Sequence, residues 1–286
     1  MIIITGAAGF IGSQLSRKLN FHGIHDCILV DDFTPEIKRN NWEHLLYADK
    51  IQREVFFRWA EKNAKSIDFI FHLGSRTDYL EKNDDIFEEL NIDFSQRIWS
   101  FATLNKIPFI YASSYLTNFN ISLSPFVKSK YIFDKWIEKQ HHTPPLWAGL
   151  KFVQVYGKNE AHKRENASEV YKIFQKYEEN STTIFAKENI IQDYIYVNDV
   201  AKVLYFFLNH APPSGMYEVG TGFARSCQSV VDAINTASKR EQKLKFAYQK
   251  EGNAVFQADL TLLRKYAYKQ PFLTLEQGVK RIILKN

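Results

Sequence analysis

Met1-Ile2-Ile3-Ile4-Thr5-Gly6-Ala7-Ala8-Gly9-Phe10-Ile11-Gly12 opens the chain. The first four residues are an apolar run that stops at a glycine turn, as a strand buried on both faces of a parallel sheet does. Residues 11–20 follow with Ile11, Leu15 and Leu19 on one helical face. Residues 27–30 are apolar again and end on Asp31-Asp32. Strand, glycine turn, helix and a second strand with an acidic end make a βαβ unit suited to a dinucleotide. Gly6 permits the tight turn, Gly9 lets backbone approach a pyrophosphate, and Gly12 lets helix and strand pack closely. The helix start, with Phe10 and Ile11, offers free N–H groups and the positive end of its dipole to the phosphates.

Asp31 follows Gly12 by about 20 residues, where a carboxylate accepts hydrogen bonds from the adenosine ribose. Asp32 beside it repels a 2′-phosphate, which favours NAD over NADP. Lys38 and Arg39 come soon after and partly offset that repulsion.

Working outward, residues 67–72 and 109–111 read as further strands and 147–155 as strand-like. Residues 54–65, 91–105 and 130–140 read as helices, and 42–48 lead to Asp49. This alternation predicts an α/β fold: a doubly wound parallel Rossmann sheet with a smaller C-terminal substrate-binding lobe. The expected division is 1–157 for the dinucleotide-binding domain and 158–286 mainly for the second lobe, with late Rossmann elements around 184–210. Ligands of such sheets bind at the carboxyl ends of the strands, so the site is expected in a cleft there.

The 286 residues are 45% hydrophobic and 24% charged, the balance of an ordinary soluble domain. Two cysteines, Cys27 and Cys227, are too few for a disulfide framework and neither clusters with histidine, so no metal site and a reduced, cytoplasmic setting are expected. The net charge of +5 is spread along the chain and mixed with acidic residues. That fits a solvated surface and an anionic small substrate better than a nucleic-acid groove. No basic segment precedes the apolar start, and no run approaches transmembrane length, so no membrane partner is expected.

The glycine spacing is G-x-x-G-x-x-G. With Ile110-Tyr111-Ala112-Ser113-Ser114 and Ser129-Lys130-Tyr131-Ile132-Phe133-Asp134 it resembles the extended short-chain dehydrogenase/reductase family. Glu160-Ala161-His162-Lys163, Asp193-Tyr194-Ile195-Tyr196-Val197-Asn198-Asp199, Gly220-Thr221-Gly222 and Gln257-Ala258-Asp259-Leu260-Thr261 narrow the resemblance to the ADP-glycero-manno-heptose 6-epimerases. The resemblance implies a nucleotide-sugar substrate, epimerisation through a transient keto sugar, and a homo-oligomer. It also implies NADP more often than NAD, against the reading of Asp32. By the same resemblance Asp49 edges the adenine, His72, Leu73, Gly74 and Ser75 line the pyrophosphate and ribose, and Asn91 begins a helix at the site.

The family's chemistry needs a Tyr-x-x-x-Lys pair and a serine. Ser114 matches the serine and Lys130 the lysine, but Phe126 stands four residues before Lys130 where tyrosine is expected. Phenylalanine fills the space and cannot carry a proton. Three readings remain open: an engineered Tyr→Phe change, a natural variant in which another group such as Tyr115 handles the proton, or a non-catalytic dinucleotide-binding sensor or assembly module. Lys163 is the second acid/base by resemblance. Gln192 and Asn253 stand where arginines are expected. Arg225 and Lys187 are candidate replacements for diphosphate binding, Phe185 for stacking a base or sugar, and Gln257 for a further substrate contact.

Overall fold

The structure, a computed structural model, describes residues 1–78, 81, 83–119, 124–179, 183–187, 190–239, 245–249, 254–266 and 268–284, with backbone alone for 183–187 and 245–249. In chain order the elements are β1 (Ile2–Thr5), α1 (Phe10–Phe21), β2 (Cys27–Asp31), α2 (Arg39–Trp42), β3 (Asp49–Gln52), α3 (Phe56–Asn63) and β4 (Phe69–His72). Next come α4 (Asp84–Phe87), α5 (Phe94–Leu104), β5 (Phe109–Ser114), α6 (Pro125–Ile137), β6 (Trp147–Phe152), β7 (Gln154–Tyr156) and α7 (Glu169–Glu178). The chain continues through β8 (Thr183–Lys187), β9 (Ile190–Tyr196), α8 (Val197–His210), β10 (Gly215–Val219) and β11 (Ala224–Ser226). The remaining elements are α9 (Cys227–Ser238), β12 (Lys245–Gln249), β13 (Ala254–Phe256), α10 (Thr261–Lys265) and α11 (Leu275–Ile283).

Two compact units divide the chain: Met1–Lys151 with Ala201–Tyr217, and Phe152–Val200 with Glu218–Asn286. The seven-stranded sheet has the order β10-β6-β5-β4-β1-β2-β3. β1 pairs in parallel with β2 and β4, β2 with β3, and β4 with β5. The order therefore reverses beside β1, which is the topological switch point of a doubly wound sheet. Ile3, Ile28, Val30, Ile70 and Phe109 bury the sheet's interior against Trp99 and Phe133 of the helices. Burying each such side chain is worth about 1.5–3 kcal/mol.

The expected α/β fold forms, with strands at all four of the early positions. Three local differences have physical causes. β3 forms as a strand because Ile51, its one buried residue, has only to cover β2 at the sheet edge. That pattern is too polar to read as a strand. The stretch 147–155 breaks at Val153, whose N–H bonds the Val219 carbonyl at 3.2 Å. α6 begins at Pro125 and not at Lys130. Ser124 caps it by accepting from the Val127 N–H, and proline suits the first turn, where no N–H is needed.

In the second unit β9 is central, antiparallel to β11 and parallel to β7 and β13. Tyr156, Val170, Ile173, Tyr194, Val230 and Val279 form its core. Asp193, fully buried, accepts from the N–H groups of Thr221 at 2.9 Å and Gly222 at 2.8 Å. Asp199, also buried, accepts from Leu273 N–H at 2.7 Å. These two carboxylates thus serve the fold, by satisfying loop N–H groups that have no strand partner. Among the described residues no helix is long and apolar enough to cross a membrane, and no group of three or more His, Cys, Asp or Glu side chains could hold a metal.

α11 starts with a capping box between Thr274 and Gln277 and seats Gly278 on Tyr156. A Cβ at Gly278 would stand 1.9 Å from the Tyr156 hydroxyl, which bonds the Leu275 carbonyl at 3.3 Å and belongs to a fully buried ring. Gly278→Ala should therefore cost about 1–3 kcal/mol despite alanine's better helix propensity. Chemical denaturation giving an unchanged or raised midpoint would show that α11 moves freely off Tyr156.

Candidate functional site

The first unit assembles the expected cofactor loop at the switch point. Gly6 has φ +70°, and a Cβ there would lie 2.6 Å from the Gly74 Cα. A Cβ on Gly9 would meet the Gly6 carbonyl oxygen at 3.0 Å, and one on Gly12 at 2.2 Å. The loop is therefore closed on itself and on the turn after β4. This leaves the start of α1 open to a phosphate, as a bound dinucleotide requires.

Asp31 stands at the end of β2, and its side chain is only 9% exposed. One oxygen accepts from Ala8 N–H at 2.9 Å; the other accepts from Asp32 N–H at 2.7 Å and the Lys38 ammonium at 3.0 Å. It holds the glycine loop in shape. Lys38 is thereby paired with Asp31 while close enough to act on Asp32 as well, and Arg39 bonds Glu36 and Glu43. Asp32 accepts from the Thr34 hydroxyl at 2.5 Å and N–H at 3.0 Å. The hydroxyl bond, with Lys38 and Arg53 nearby, holds its carboxyl below the ordinary aspartate value against partial burial. Asp49, expected to edge the adenine, lies at the start of its strand. It opens β3 opposite Ile28, three residues before Gln52, which pairs with Asp31. At roughly 3.3 Å per residue that is about 10 Å from the carboxyl edge. Gln52 and Arg53 occupy that edge instead, a placement that depends on the β2/β3 register.

Behind the loop runs a buried chain of hydrogen bonds. The Thr5 hydroxyl accepts from Gly74 N–H at 3.2 Å and meets His72 Nδ1 at 2.7 Å. His72 Nε2 meets the Ser95 hydroxyl at 2.8 Å, and Ser95 donates to the Asn91 carbonyl at 2.5 Å. The hydroxyls fix the direction. Thr5 spends its proton on Nδ1 and Ser95 spends its own on Asn91, so His72 is neutral with its proton on Nε2. Complete burial, with Lys130 nearby, lowers its pKa from 6.5 to about 3. The His72 side chain thus backs the loop and does not line it. Leu73, Gly74 and Ser75 follow as half-buried residues at the end of β4.

Asn91 does not begin a helix. It lies within a π-helical turn, Glu88–Asp93, between α4 and α5. Its side chain accepts from Arg76 N–H at 2.7 Å and donates to the Arg76 carbonyl at 3.0 Å and the Ser129 hydroxyl at 2.9 Å. Ser129 in turn donates to the Phe126 carbonyl at 2.7 Å. The turn thus ties the post-β4 segment to α6. On α6 Phe126 is half-buried and Lys130, one turn on, is buried. Burial lowers the Lys130 ammonium to about 8 although Asp134 opposes the shift. Among the described residues this ammonium has no hydrogen-bond partner, so it suits a ligand hydroxyl. Ser114 ends β5, half-buried, and caps the turn that follows by accepting from Leu116 N–H at 3.3 Å. Tyr115 is buried with its ring edge-on to Phe119 at 5.2 Å.

In the second unit Lys163 is largely covered and its ammonium lies 3.4 Å from Glu160. Glu160 is fully buried and also accepts from Gly157 N–H at 2.9 Å, Ser168 N–H at 2.7 Å and the Ser168 hydroxyl at 2.8 Å. Arg164, next to Lys163, is held at φ 48°, ψ −122°, a strained conformation for a side-chain-bearing residue and one that clusters at functional sites. Glu160 escaped the sequence reading because its role depends on the loop closing around it. Gln192 bridges Gln154 at 3.0 Å and Glu169 at 3.3 Å. Arg225 lies opposite Gln192 in the β9/β11 register and pairs with Glu276 at 2.7 Å, a half-exposed contact worth little. The Gln257 side chain accepts from Ala224 N–H at 3.2 Å and lines a groove of about 750 Å³ with Phe223, Leu260 and Arg264. Phe185 and Lys187 lie in β8, of which only the backbone is described, and Asn253 lies outside the described residues.

A comparison with protein families matches residues 2–220 to the NAD dependent epimerase/dehydratase family. The chain belongs to that family. It is 32% identical to the ADP-L-glycero-D-manno-heptose-6-epimerase of Fusobacterium nucleatum over 98% of this chain and 96% of the relative. The crystal structure of the Helicobacter pylori enzyme of the same name matches with a TM-score of 0.85 at 23% identity, covering 99% of this chain and 95% of that one. A tyrosine-to-phenylalanine mutant of UDP-glucuronic acid 4-epimerase from Bacillus cereus, in complex with a fluorinated UDP-sugar and NAD, matches with a TM-score of 0.84 at 20% identity, covering 98% and 97%.

The neutral His72 yields a pH dependence with a definite sign. Its folded pKa is below the unfolded value, so its contribution to stability is complete above pH 6.5 and is lost as the pH falls from there towards about 3. The slope approaches about 1.4 kcal/mol per pH unit. Between pH 7.5 and 5 the wild type should lose about 1–2 kcal/mol more than His72→Asn in urea unfolding. Equal losses, or a proton on Nδ1 by nitrogen NMR, would contradict the assigned chain.

Proposed function

We propose that this chain binds NAD at the loop of the first unit and is an epimerase of nucleotide-diphosphate sugars, of the ADP-glycero-manno-heptose type, slowed because Phe126 replaces the proton-handling tyrosine. The carrying observation is α6, where Phe126 and the buried Lys130 occupy adjacent turns beside the glycine loop's own hydrogen-bond chain. Gly6, Gly9 and Gly12 would admit the pyrophosphate, and Asp31 would hold the loop and meet the adenosine ribose. Asp32 would exclude a 2′-phosphate, while Lys130 would donate to the nicotinamide ribose. Bound NAD would supply a hydride acceptor and donor, so that a sugar carbon is oxidised and reduced with no net redox change. Ser114 would hold the substrate oxygen. Lys163, paired with Glu160, would be the second acid/base.

The second reading, a non-catalytic NAD-binding module, is favoured by Phe126 itself. The Bacillus cereus relative held NAD and a sugar nucleotide as a Tyr→Phe mutant. Such a change therefore permits binding in that protein, and under this proposal binding survives in the present chain.

The purified protein should bind NAD more tightly than NADP in calorimetry, and Gly9→Asp should abolish binding by placing a carboxylate where the pyrophosphate belongs. Failure to bind either dinucleotide at millimolar concentration would remove the cofactor reading. Phe126→Tyr should raise C6 epimerisation of ADP-glycero-manno-heptose by about 100-fold or more, the scale of a positioned acid/base. Full activity with Phe126 in place would assign the proton to another group. Inactivity of both forms, with NAD bound, would favour the binding module.

A further inference from the structure

His72 backs the glycine loop without lining it, and the chemistry proposed above leaves it without a task. Its ring packs against those of Phe94, with centroids 5.8 Å apart, and Phe109, at 5.9 Å. The ring can turn only by breaking these contacts, so Nδ1 stays on Thr5 and Nε2 on Ser95. The bonds on either side of it run in one direction. Gly74 N–H donates to the Thr5 hydroxyl at 3.2 Å, and Thr5 donates to Nδ1 at 2.7 Å. Nε2–H donates to Ser95 at 2.8 Å, and Ser95 donates to the Asn91 carbonyl at 2.5 Å. The Asn91 amide then donates to Ser129 at 2.9 Å, and Ser129 to the Phe126 carbonyl at 2.7 Å.

Thr5, His72, Ser95, Asn91 and Ser129 are all buried. A polar series in such a place stabilises only while every member is satisfied, and losing one member leaves its neighbours unpaired. Apolar side chains of the same shape would join β4, α5 and α6 without that liability. They would not fix direction. The series connects three segments: the Gly74 turn that closes on Gly6, the Arg76 backbone that the Asn91 side chain holds at 2.7 and 3.0 Å, and the first turn of α6. Its last acceptor, the Phe126 carbonyl, is in the α-helical ladder also the acceptor for Lys130 N–H. The Ser129 hydroxyl therefore acts on the one carbonyl that ties Phe126 to Lys130.

We propose that His72 is a positioning residue: through Ser95, Asn91 and Ser129 it sets the first turn of α6, with Phe126 and Lys130, relative to the strand end that closes the glycine loop. The loop takes the pyrophosphate, and the series fixes how far from it Lys130 meets the nicotinamide ribose. The inference rests on the reading of Lys130 as a contact for that ribose.

The test compares NAD with ADP as displacers of bound NADH, followed by its fluorescence. ADP carries the adenosine and the pyrophosphate and lacks the nicotinamide riboside. His72→Asn places an amide oxygen where Nδ1 accepts from Thr5 and nothing where Nε2 donates, so it spares the loop and severs the link to Ser95. Ser129→Ala severs the last link. Both variants should bind ADP as the wild type does and should lose about 10-fold or more of its preference for NAD over ADP, the scale of one hydrogen bond from a charged group. Gly278→Ala, destabilised in the second unit, should keep the preference. An unchanged preference in His72→Asn, whatever the two affinities, would overturn the proposal, because a purely structural role weakens NAD and ADP alike. A wild type that binds NAD no tighter than ADP, or binds neither, refutes the reading of Lys130, and carbon NMR then decides for His72. The Phe126 carbonyl signal should move in His72→Asn as it does in Ser129→Ala, and an unmoved signal overturns the proposal. If His72→Asn does not fold, Ser95→Ala breaks the same link and takes its place in both measurements.

Discussion

There is no room for a side-chain carbon between Gly6 and Gly74. The end of β1 and the end of β4 meet backbone to backbone at the place where the strand order of the sheet reverses. Everything proposed for the first unit follows from that approach. It brings Thr5 against both the Gly74 N–H and His72, starts the buried chain through Ser95 and Asn91, and leaves the start of α1 as the open surface of the loop. A larger residue at Gly6 would part the two strand ends and disconnect the chain behind them, whereas a Cβ at Gly74 would press on the Gly6 nitrogen and the Thr5 hydroxyl at 3.1 Å.

Polar groups buried at such points need partners, and here each partner is itself held. Asp31 is satisfied by two N–H groups and an ammonium, Asp193 by the N–H groups around Gly222, and Glu160 by Gly157, Ser168 and Lys163. Each of these carboxylates stabilises a loop that has no ladder of its own. A carboxylate accepts at two oxygens from several directions, which a backbone carbonyl cannot match, and this suits it to irregular segments. The same logic explains why acidic residues that look catalytic in a motif serve in some cases to shape the loop that carries the chemistry.

The glycine loop and the first two strands were legible because their signal is local: a backbone that needs glycine and a side-chain period that needs a core. Phe126 and Lys130 were legible as a pair because four residues make one helical turn. The place of Asp49 was not legible because which end of a short edge strand faces the site depends on register against β2, and register is not local. The pairing of Lys38 with Asp31 was not legible until the fold brought the two together. Asn91 resembled a helix start, since its polar side chain gives no hint of an inserted π turn. The role of Glu160 was passed over because its hydroxyl and N–H donors are gathered from separate segments.

The π turn at Glu88–Asp93 has a consequence for comparing such chains. A π turn spends about one more residue per revolution than an α turn, so α4 and α5 are out of phase although they are continuous. A relative one residue shorter here would keep the same axis and rotate everything downstream by about 100°, taking the asparagine off Ser129. Matching positions in this stretch by spacing alone would then equate residues on different faces. Angular phase about the helix axis, measured from Ser95 or Trp99, is the sounder ruler for deciding which residue of another chain is the counterpart of Asn91.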